Sequence, residues 1–299
     1  MQNPEPLKLL FVINPVSGGK EKNDWENSIR QYFKERPHNI EFYLLTGTDD
    51  KTSVQHHIES IKPDRVVAVG GDGTVKMVAE LLKETAMTLG ILPAGSANGM
   101  AKELGIPLIV EEALNVIVDG GSKKIDAIKI NEEEICLHVS DVGLNAMLVK
   151  EFEKSKKRGM WNYGKAIFKA LWQIKKMKVA IKTDKEAVMR NAYMVALANA
   201  RKYGTGANIN PDGNVADGKF EVVIVRKLNV FEITKAIFTD RSFYPQRIEV
   251  FSTTNLELNI RHRAYFQVDG EYKGKIANIK ARVLPQVISV MVPQVNKLA

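Results

Sequence analysis

With Cys136 as its one cysteine in 299 residues, the chain cannot close an internal disulfide, and a reducing cytoplasm is the expected compartment. No apolar run is long enough to span a bilayer, and the five apolar residues Leu9 to Ile13 are too few for a signal peptide. A protein that is soluble, or at most peripheral to a membrane, is expected. Low-complexity tracts are absent. The five histidines form no ligand constellation: His56-His57 falls on an expected surface helix and His138 within an expected strand, which argues against a histidine metal site. Cys136, in that same strand, reads as a buried inert thiol. No Gly-x-x-x-x-Gly-Lys-Ser/Thr occurs, which excludes a Walker A loop. Lys76 stands where the dinucleotide fingerprint needs its third glycine.

What is present is concentrated in residues 65–74, Arg-Val-Val-Ala-Val-Gly-Gly-Asp-Gly-Thr. Val66 to Val69 form a continuous apolar run whose side chains suit a buried strand. Gly70, Gly71, Asp72, Gly73 and Thr74 follow at once. Glycines let backbone N–H groups approach phosphate oxygens closely. An acid among those amides repels phosphate unless a divalent metal bridges the two. The helical run from Val75 to Leu82 aims its N-terminus at the same place. Strand, glycine loop with acid, and helix together point to a nucleotide-phosphate site. The same residues also allow a plain strand-to-helix turn in which Asp72 is only a cap.

A chain of this length implies two domains, and its texture changes near residue 125. Over 1–125, the strand-like runs Leu9–Ile13, Ile40–Leu45, Val66–Val69 and Thr88–Leu92 alternate with helical patterns. Trp25, Ile29, Tyr32 and Phe33 are one such pattern. This predicts an α/β domain: a parallel sheet with helices on both faces and ligands beyond the carboxyl ends of its strands. Three glycine-bearing turns fall there: Asn14 to Gly19, Gly70 to Thr74, and Pro93 to Gly99. Over 126–299, short runs dominate: Ala127–Ile130, Ile135–Val139, Tyr193–Ala198, Phe220–Val225, Ile248–Phe251, Leu256–Ile260 and Tyr265–Val268. With Asp-Gly pairs at 212–213, 217–218 and 269–270, they predict an antiparallel β-sandwich with a helical insertion at about 159–176. The C-terminal tail is expected to pack back on the first domain, and a cleft between domains is the expected active site.

Val-Gly-Gly-Asp-Gly-Thr, with Asn14-Pro15-x-Ser17-Gly18 before it and Leu92-Pro93-Ala94-Gly95-Ser96-Ala97-Asn98 after it, resembles the diacylglycerol kinase catalytic-domain family. That family includes bacterial lipid kinases and sphingosine kinases. The resemblance continues through Val142-Gly143-Leu144-Asn145-Ala146, Pro211 with Asp217-Gly218, and Val268-Asp269-Gly270-Glu271. It implies an NAD kinase/diacylglycerol kinase-like fold and a Mg²⁺-assisted transfer of the γ-phosphoryl of ATP to a lipid hydroxyl. By that similarity Asn14, Pro15, Val16, Ser17, Gly18, Thr46, Gly70, Gly71, Asp72, Gly73, Thr74 and Ser96 hold the nucleotide. Glu271 is implied as the general base, with Asp72 organising metal and phosphates and Asp269 grouped with them as catalytic. Asn214, Asp217 and Lys219 match a second, structural Mg²⁺ site, Asn214 and Lys219 through backbone carbonyls. On the residues alone, Asp269-Gly270-Glu271 and Asp217-Gly218 read equally as ordinary turns with exposed acids.

The chain departs from the family at Lys76-Met77, where members often carry Asn-Glu, and at Gly99 and Lys102. The Gly-Ser-x-Asn form at Gly95 to Asn98 is more similar to sphingosine kinases. Two other readings stay open. An NAD kinase shares the loop but carries an Asn-Glu pair whose acid Leu144-Asn145-Ala146 lacks. A nucleotide-binding regulatory protein that has lost catalysis would fit Lys76 and Met77. Diacylglycerol, a sphingoid base and phosphatidylglycerol all remain open as acceptor, and so does a homodimer.

Net charge is +8, from 43 Lys/Arg against 35 Asp/Glu. The stretch from Lys150 to Lys178 carries ten Lys/Arg against two Glu, a balance equal to that of the whole chain. It contains no nucleic-acid recognition motif, so nucleic acid is not an expected partner. Residues 154–178 interleave lysines with Trp161, Ile167, Phe168, Leu171 and Trp172. That pattern suits a bilayer interface and predicts peripheral contact with anionic membrane through 154–178. The same apolar face would also suit packing on the β domain.

Overall fold

The computed structural model describes residues 5–18, 25–154, 175–203, 207–208, 213–227 and 248–294. The predicted helical insertion at about 159–176 lies outside the described residues, apart from Lys175 and Lys176. Two compact units divide the chain: Met1–Ile125 with Gln286–Ala299, and Asp126–Pro285. The chain passes between them within strands β5 (Gly121–Ile130) and β16 (Glu271–Val292).

The first unit runs β1 (Lys8–Ile13), α1 (Trp25–Phe33), β2 (Asn39–Leu44), α2 (Asp50–Ile61), β3 (Arg65–Gly70), α3 (Asp72–Leu82), β4 (Thr88–Pro93), α4 (Gly99–Glu103) and α5 (Val110–Asp119). Its strands lie in the order β16-β4-β3-β1-β2 with parallel pairing throughout. β1, β3 and β4 are buried at every residue after the first, whereas edge strand β2 alternates between partly and fully exposed positions. A strand covered on both faces has no polar side to show, so its sequence is a continuous apolar run. From β1 the chain moves one way to β2, then back across to β3 and on to β4. Right-handed crossovers therefore put α1 on one face and α2 and α3 on the other. α5 joins α1, where the Tyr32 hydroxyl donates to Asn115 Oδ1 at 2.6 Å. Burial of Phe11, Ile29, Val67, Val78, Ile91 and Leu114 supplies the core, each contributing roughly 1.5–3 kcal/mol.

The second unit contains β6 (Glu134–Cys136), β7 (Val139–Gly143), α6 (Leu144–Lys154), β8 (Met177–Thr183), β9 (Ala187–Ala192) and β10 (Met194–Ala198). A two-residue pair follows, β11 (Lys202–Tyr203) and β12 (Ala207–Asn208), then β13 (Phe220–Val225), β14 (Ile248–Thr253) and β15 (Asn255–Val268). The strand order is β14-β13-β10-β7-β15-β16, with β5 pairing β16 and β6, and β8 pairing β15 and β9. The ladders are antiparallel. This is an antiparallel β-sandwich. One core gathers Ile128, Val142, Val195, Leu197, Phe220, Leu258 and Phe266. Leu144 and Met147 of α6 cover a second cluster with Ala196 and Val223.

The structure corrects several local expectations. The run Ile135–Val139 is not one strand, because Leu137 and His138 form the link between β6 and β7. Leu256–Ile260 and Tyr265–Val268 belong to one strand, β15, with register shifts between Asn259 and Ala264 and between Tyr265 and Gln267. Its exposed stretch Arg261–Arg263 hides the continuity from a hydrophobicity reading. β16 escapes notice because Gly274 and Pro285 break its pattern, and Gly274 and Gln286 carry positive φ. Helix α6 and strands β8 and β9 were not anticipated either; their apolar residues are too interrupted to announce an element. Among the described residues no helix is long and apolar enough to cross a membrane.

Candidate functional site

Strand order reverses between β1 and β3, the chain having gone one way to β2 and then the other to β3, and such a topological switch point is where open α/β sheets bind ligands. The turns after β1, β3 and β4 are bonded to one another there. The Asn14 amide nitrogen donates to Val69 O at 2.9 Å, and its Nδ2 donates to Thr74 Oγ1 at 3.3 Å. Ala94 N donates to Gly70 O at 2.9 Å. Asp72 reaches over to the third turn: Oδ2 accepts Gly99 N and Oδ1 accepts Met100 N, both at 3.0 Å. That fixes α4 on the glycine loop. Asn98, at φ 50°, closes its own turn by accepting Gly95 N and donating to Gly95 O, each at 2.8 Å. A side chain on Gly95 would collide with Gly71 Cα, so only glycine allows this approach.

The remaining nucleotide candidates lie on the same edge. Pro15, Val16, Gly18, Gly73 and Ser96 are exposed, and Val16 is 77% exposed, unusual for an apolar side chain. Ser17 N donates to Asn14 O at 3.2 Å. Thr46 follows β2, where Asp50 Oδ1 accepts its amide at 2.8 Å and its hydroxyl at 3.0 Å. Burial pushes the Asp50 carboxyl up, but the amides of Thr46 and Gly47 and the Thr46 hydroxyl outweigh it and hold it below its ordinary value. Lys76 is buried in α3.

In the second unit, Val268 pairs with Glu271 across a two-residue turn, Asp269-Gly270, whose φ values are both positive (49° and 85°). Asp-Gly is the favoured pair for such a hairpin. The turn is also anchored from outside. Asp269 Oδ1 accepts His138 N at 2.9 Å, Val139 N at 3.2 Å and the Cys136 thiol at 3.3 Å, while Oδ2 accepts Leu137 N at 3.0 Å. The link that interrupts the expected strand thus serves as a cradle of amides. Gly270 N donates to Gln267 Oε1 at 2.7 Å, and Gln267 Nε2 donates to buried Asp141. Asp141 in turn accepts Ala146 N at 2.9 Å and Asn145 Nδ2 at 2.8 Å at the start of α6. Glu271 is left with its side chain half exposed, 3.1 Å from Lys273 Nζ, which also lies 3.1 Å from Glu134. Burial presses the Lys273 ammonium down, but the bonds to Glu134 and Glu271 outweigh it and hold its pKa above the usual lysine value.

Asn214, Asp217 and Lys219 occupy an exposed turn before β13. Asn214 Oδ1 accepts Ala216 N at 3.2 Å, and Asp217 Oδ1 accepts Lys219 N at 3.1 Å. Buried Asp126 braces the turn by accepting Gly218 N at 2.7 Å. Asp217 keeps its second carboxylate oxygen without a partner among the described residues, and backbone carbonyls lie on either side. All-oxygen donors of this kind fit a hard divalent cation. Groups of three or more His, Cys, Asp or Glu able to hold a metal are absent among the described residues, so such a site would depend on carbonyl oxygens beside Asp217.

Residues 8–130 match the diacylglycerol kinase catalytic domain, and residues 138–292 match the YegS C-terminal NAD kinase β-sandwich-like domain. The chain belongs to the diacylglycerol kinase/YegS-like lipid kinase family. It is 28% identical over 293 residues to a "Probable lipid kinase YegS-like" of Yersinia enterocolitica, covering 95% of this chain and 96% of the relative. To a diacylglycerol kinase of Bacillus subtilis it is 22% identical over 274 residues, covering 89% and 90%. A crystal structure of a diacylglycerol kinase from Bacillus anthracis superposes with a TM-score of 0.73 at 18% identity, covering 96% and 97% of the two chains, which is a likeness of fold. Within this lipid kinase, Asp126, Asp141 and Gln267 escaped the sequence reading. The signal was available: a charge or amide inside an apolar strand is costly unless bonded, so each marks a buried network.

Proposed function

We propose that this protein is an ATP-dependent lipid kinase that transfers the γ-phosphoryl group to the hydroxyl of a lipid such as diacylglycerol or a sphingoid base. The observation that carries the reading is the bonding of three glycine-bearing turns into one constellation at the switch point, through Asn14, Thr74 and Asp72. Phosphoryl transfer depends on positioning and charge neutralisation more than on covalent help. The turns supply backbone N–H groups for the phosphates, and the N-terminus of α3 faces the same loop. Each Asp72 oxygen accepts one amide and has a further lone pair for a Mg²⁺–nucleotide. When bound there, Mg²⁺ neutralises charge on the phosphate oxygens. Asn214, Asp217 and Lys219 would hold a second, structural Mg²⁺ that stiffens their turn.

Glu271 is the base of the reading. The acceptor hydroxyl oxygen forms a bond to the γ-phosphorus, the bond to the β–γ bridging oxygen breaks with its electron pair leaving on ADP, and the hydroxyl proton passes to the Glu271 carboxylate. Asp269 is a positioning residue, since four donors already occupy its two oxygens. The names of the Yersinia and Bacillus relatives support a lipid acceptor. A cytoplasmic protein in peripheral contact with anionic membrane through residues 154–178 completes the proposal. Incubation with labelled ATP, Mg²⁺ and purified diacylglycerol, sphingosine or phosphatidylglycerol tests it. Transfer to one of them is expected, whereas binding of ATP with no transfer to any lipid would reject it in favour of a regulatory protein.

A further inference from the structure

Several basic residues of the second unit sit beside carboxylates. Lys182 lies 3.6 Å from Glu257, Arg190 lies 2.6 Å from Glu249, Arg226 bonds the same Glu249, and Arg282 lies 3.2 Å from Glu132. Six others are gathered in one place. A cavity of about 560 Å³ is lined by Lys175, Lys176 and Lys178 from the approach to β8, by Arg261 and Arg263 from β15, and by Lys275 from β16. Its described lining contains no aspartate or glutamate. None of these six side chains has a carboxylate partner among the described residues.

Their head groups are arranged by other means. Arg263 donates from Nε and Nη2 to Lys275 O at 3.2 and 2.7 Å. Lys275 Nζ lies over the Tyr265 ring, 4.6 Å from its centre, and Lys150 Nζ lies 4.3 Å from that centre while donating to the Tyr265 hydroxyl at 3.2 Å. Lys176 lies 5.4 Å from the centre of the Tyr193 ring. Carbonyls and ring faces hold a cation in place without cancelling its charge. The Lys150 bond, joined by the charges of Lys150 and Lys275, holds the Tyr265 phenol below the usual tyrosine value against burial and the Glu151 carboxylate, which lies 4.0 Å from Lys150 Nζ. Six cationic residues line one cavity, and an anion bound there relieves the repulsion among their like charges. Gly143, Met147, Met177 and Ala264 give the same cavity an apolar side. The volume lies within the range of small-molecule sites.

We propose that this cavity is an anion site that takes a phosphate group carried on a partly apolar body, in addition to any nucleotide held by the first unit. The phosphate sits among Arg261, Arg263 and Lys275, and the body lies along the methionines. Two sources share this chemistry: the headgroup of an anionic phospholipid and a soluble phosphate ester. The proposal uses none of the residues assigned to ATP or to the base, so it stands or falls apart from the kinase reading.

The test compares the full chain with Arg261→Ala/Arg263→Ala/Lys275→Ala, three residues outside the 154–178 segment. Binding to glycerol 3-phosphate is measured by titration calorimetry. Binding to phosphatidylcholine vesicles with and without one third phosphatidylglycerol is measured by sedimentation, and ATP binding is recorded alongside. The intact chain should bind glycerol 3-phosphate, the phosphatidylglycerol vesicles, or both, and the triple variant should lose at least tenfold in that affinity with ATP binding unchanged. Loss with the soluble ester identifies a soluble ligand, and loss with vesicles alone identifies a headgroup. Should the triple variant fold poorly, Arg261→Gln/Lys275→Gln, which keeps Arg263 on its carbonyl, should lose at least fivefold. No binding by the intact chain, or equal binding by the folded variants, would overturn the site.

Discussion

The turn after β3 and the turn joining β15 to β16 both set an acid beside a glycine, yet they use it in opposite ways. Asp72 spends one bond per oxygen, on Gly99 N and Met100 N, and both partners belong to the neighbouring turn of the same constellation. It can hold its frame and face a cation at once, because each carboxylate oxygen has two lone pairs. Asp269 accepts four donors drawn from residues 136–139, 130 to 133 positions away in sequence. It is a structural anchor, and the exposed acid two residues on, Glu271, is free of that duty. On the proposed reading, one turn combines support and chemistry in a single carboxylate, and the other divides them between two.

The largest effect should come from the combined residue. Asp72→Ala is expected to take phosphoryl transfer below detection in a labelled-ATP assay. Its folding free energy should fall by only about 1–3 kcal/mol, since two amides lose their acceptor. Near-normal turnover in the folded variant would remove Asp72 from the chemistry. Next comes Glu271→Gln, which keeps shape and removes basicity: kcat should drop about 10²–10⁴-fold while the KM for ATP and the denaturation midpoint hardly move. An unchanged kcat would leave Glu271 a mere turn residue.

Asp269 then separates division of labour from redundancy. Asp269→Ala strands several amides around residues 137–139 and should lower the unfolding free energy by about 2–4 kcal/mol. Loss of activity should accompany the loss of stability, and Asp269→Asn, which keeps an acceptor, should recover part of both. A variant as stable as the parent but as slow as Glu271→Gln would mean that Asp269 acts on the reacting groups, and the contrast between the two turns would collapse.

The sequence announces what is local and hides what is distant. β1, β3 and β4 are legible because strands buried on both faces must be continuously apolar. The glycine turns are legible because close backbone approach, as between Gly71 and Gly95, admits no other residue. The partners of Asp269, Asp141 and Gln267 are illegible in one sequence, since nothing local states which amides an acid will meet after folding. β16 is obscured for a different reason. Its inward positions alternate with lysines and a glycine, so the period-two signal is present but weak.

The smallest effect distinguishes the frames behind the two turns. At the far end of β1, Leu7 N donates to His38 Nδ1 at 3.1 Å, and the imidazole packs edge-on against Phe33 at 5.8 Å between ring centres. An imidazole that accepts an amide through Nδ1 cannot carry a proton there. Burial also disfavours its charged form and holds its pKa below the usual 6.5. Because the folded value is the lower one, the contribution of His38 is complete above about pH 6.5 and is lost as pH falls through the depressed folded value. The ring is partly solvated, so the loss should stay under about 1 kcal/mol. Histidine NMR titration should give His38 a midpoint below 6.5. Hydrogen exchange, corrected for intrinsic rates, should rise along β1 and β2 between about pH 6.5 and 5 before it rises at residues 137–139, and His38→Gln should flatten that rise. The anchor in the second unit is a carboxylate receiving backbone amides rather than an imidazole accepting one. A simultaneous rise in both regions would show that acid acts on the chain as a whole and that the two frames are not independently held.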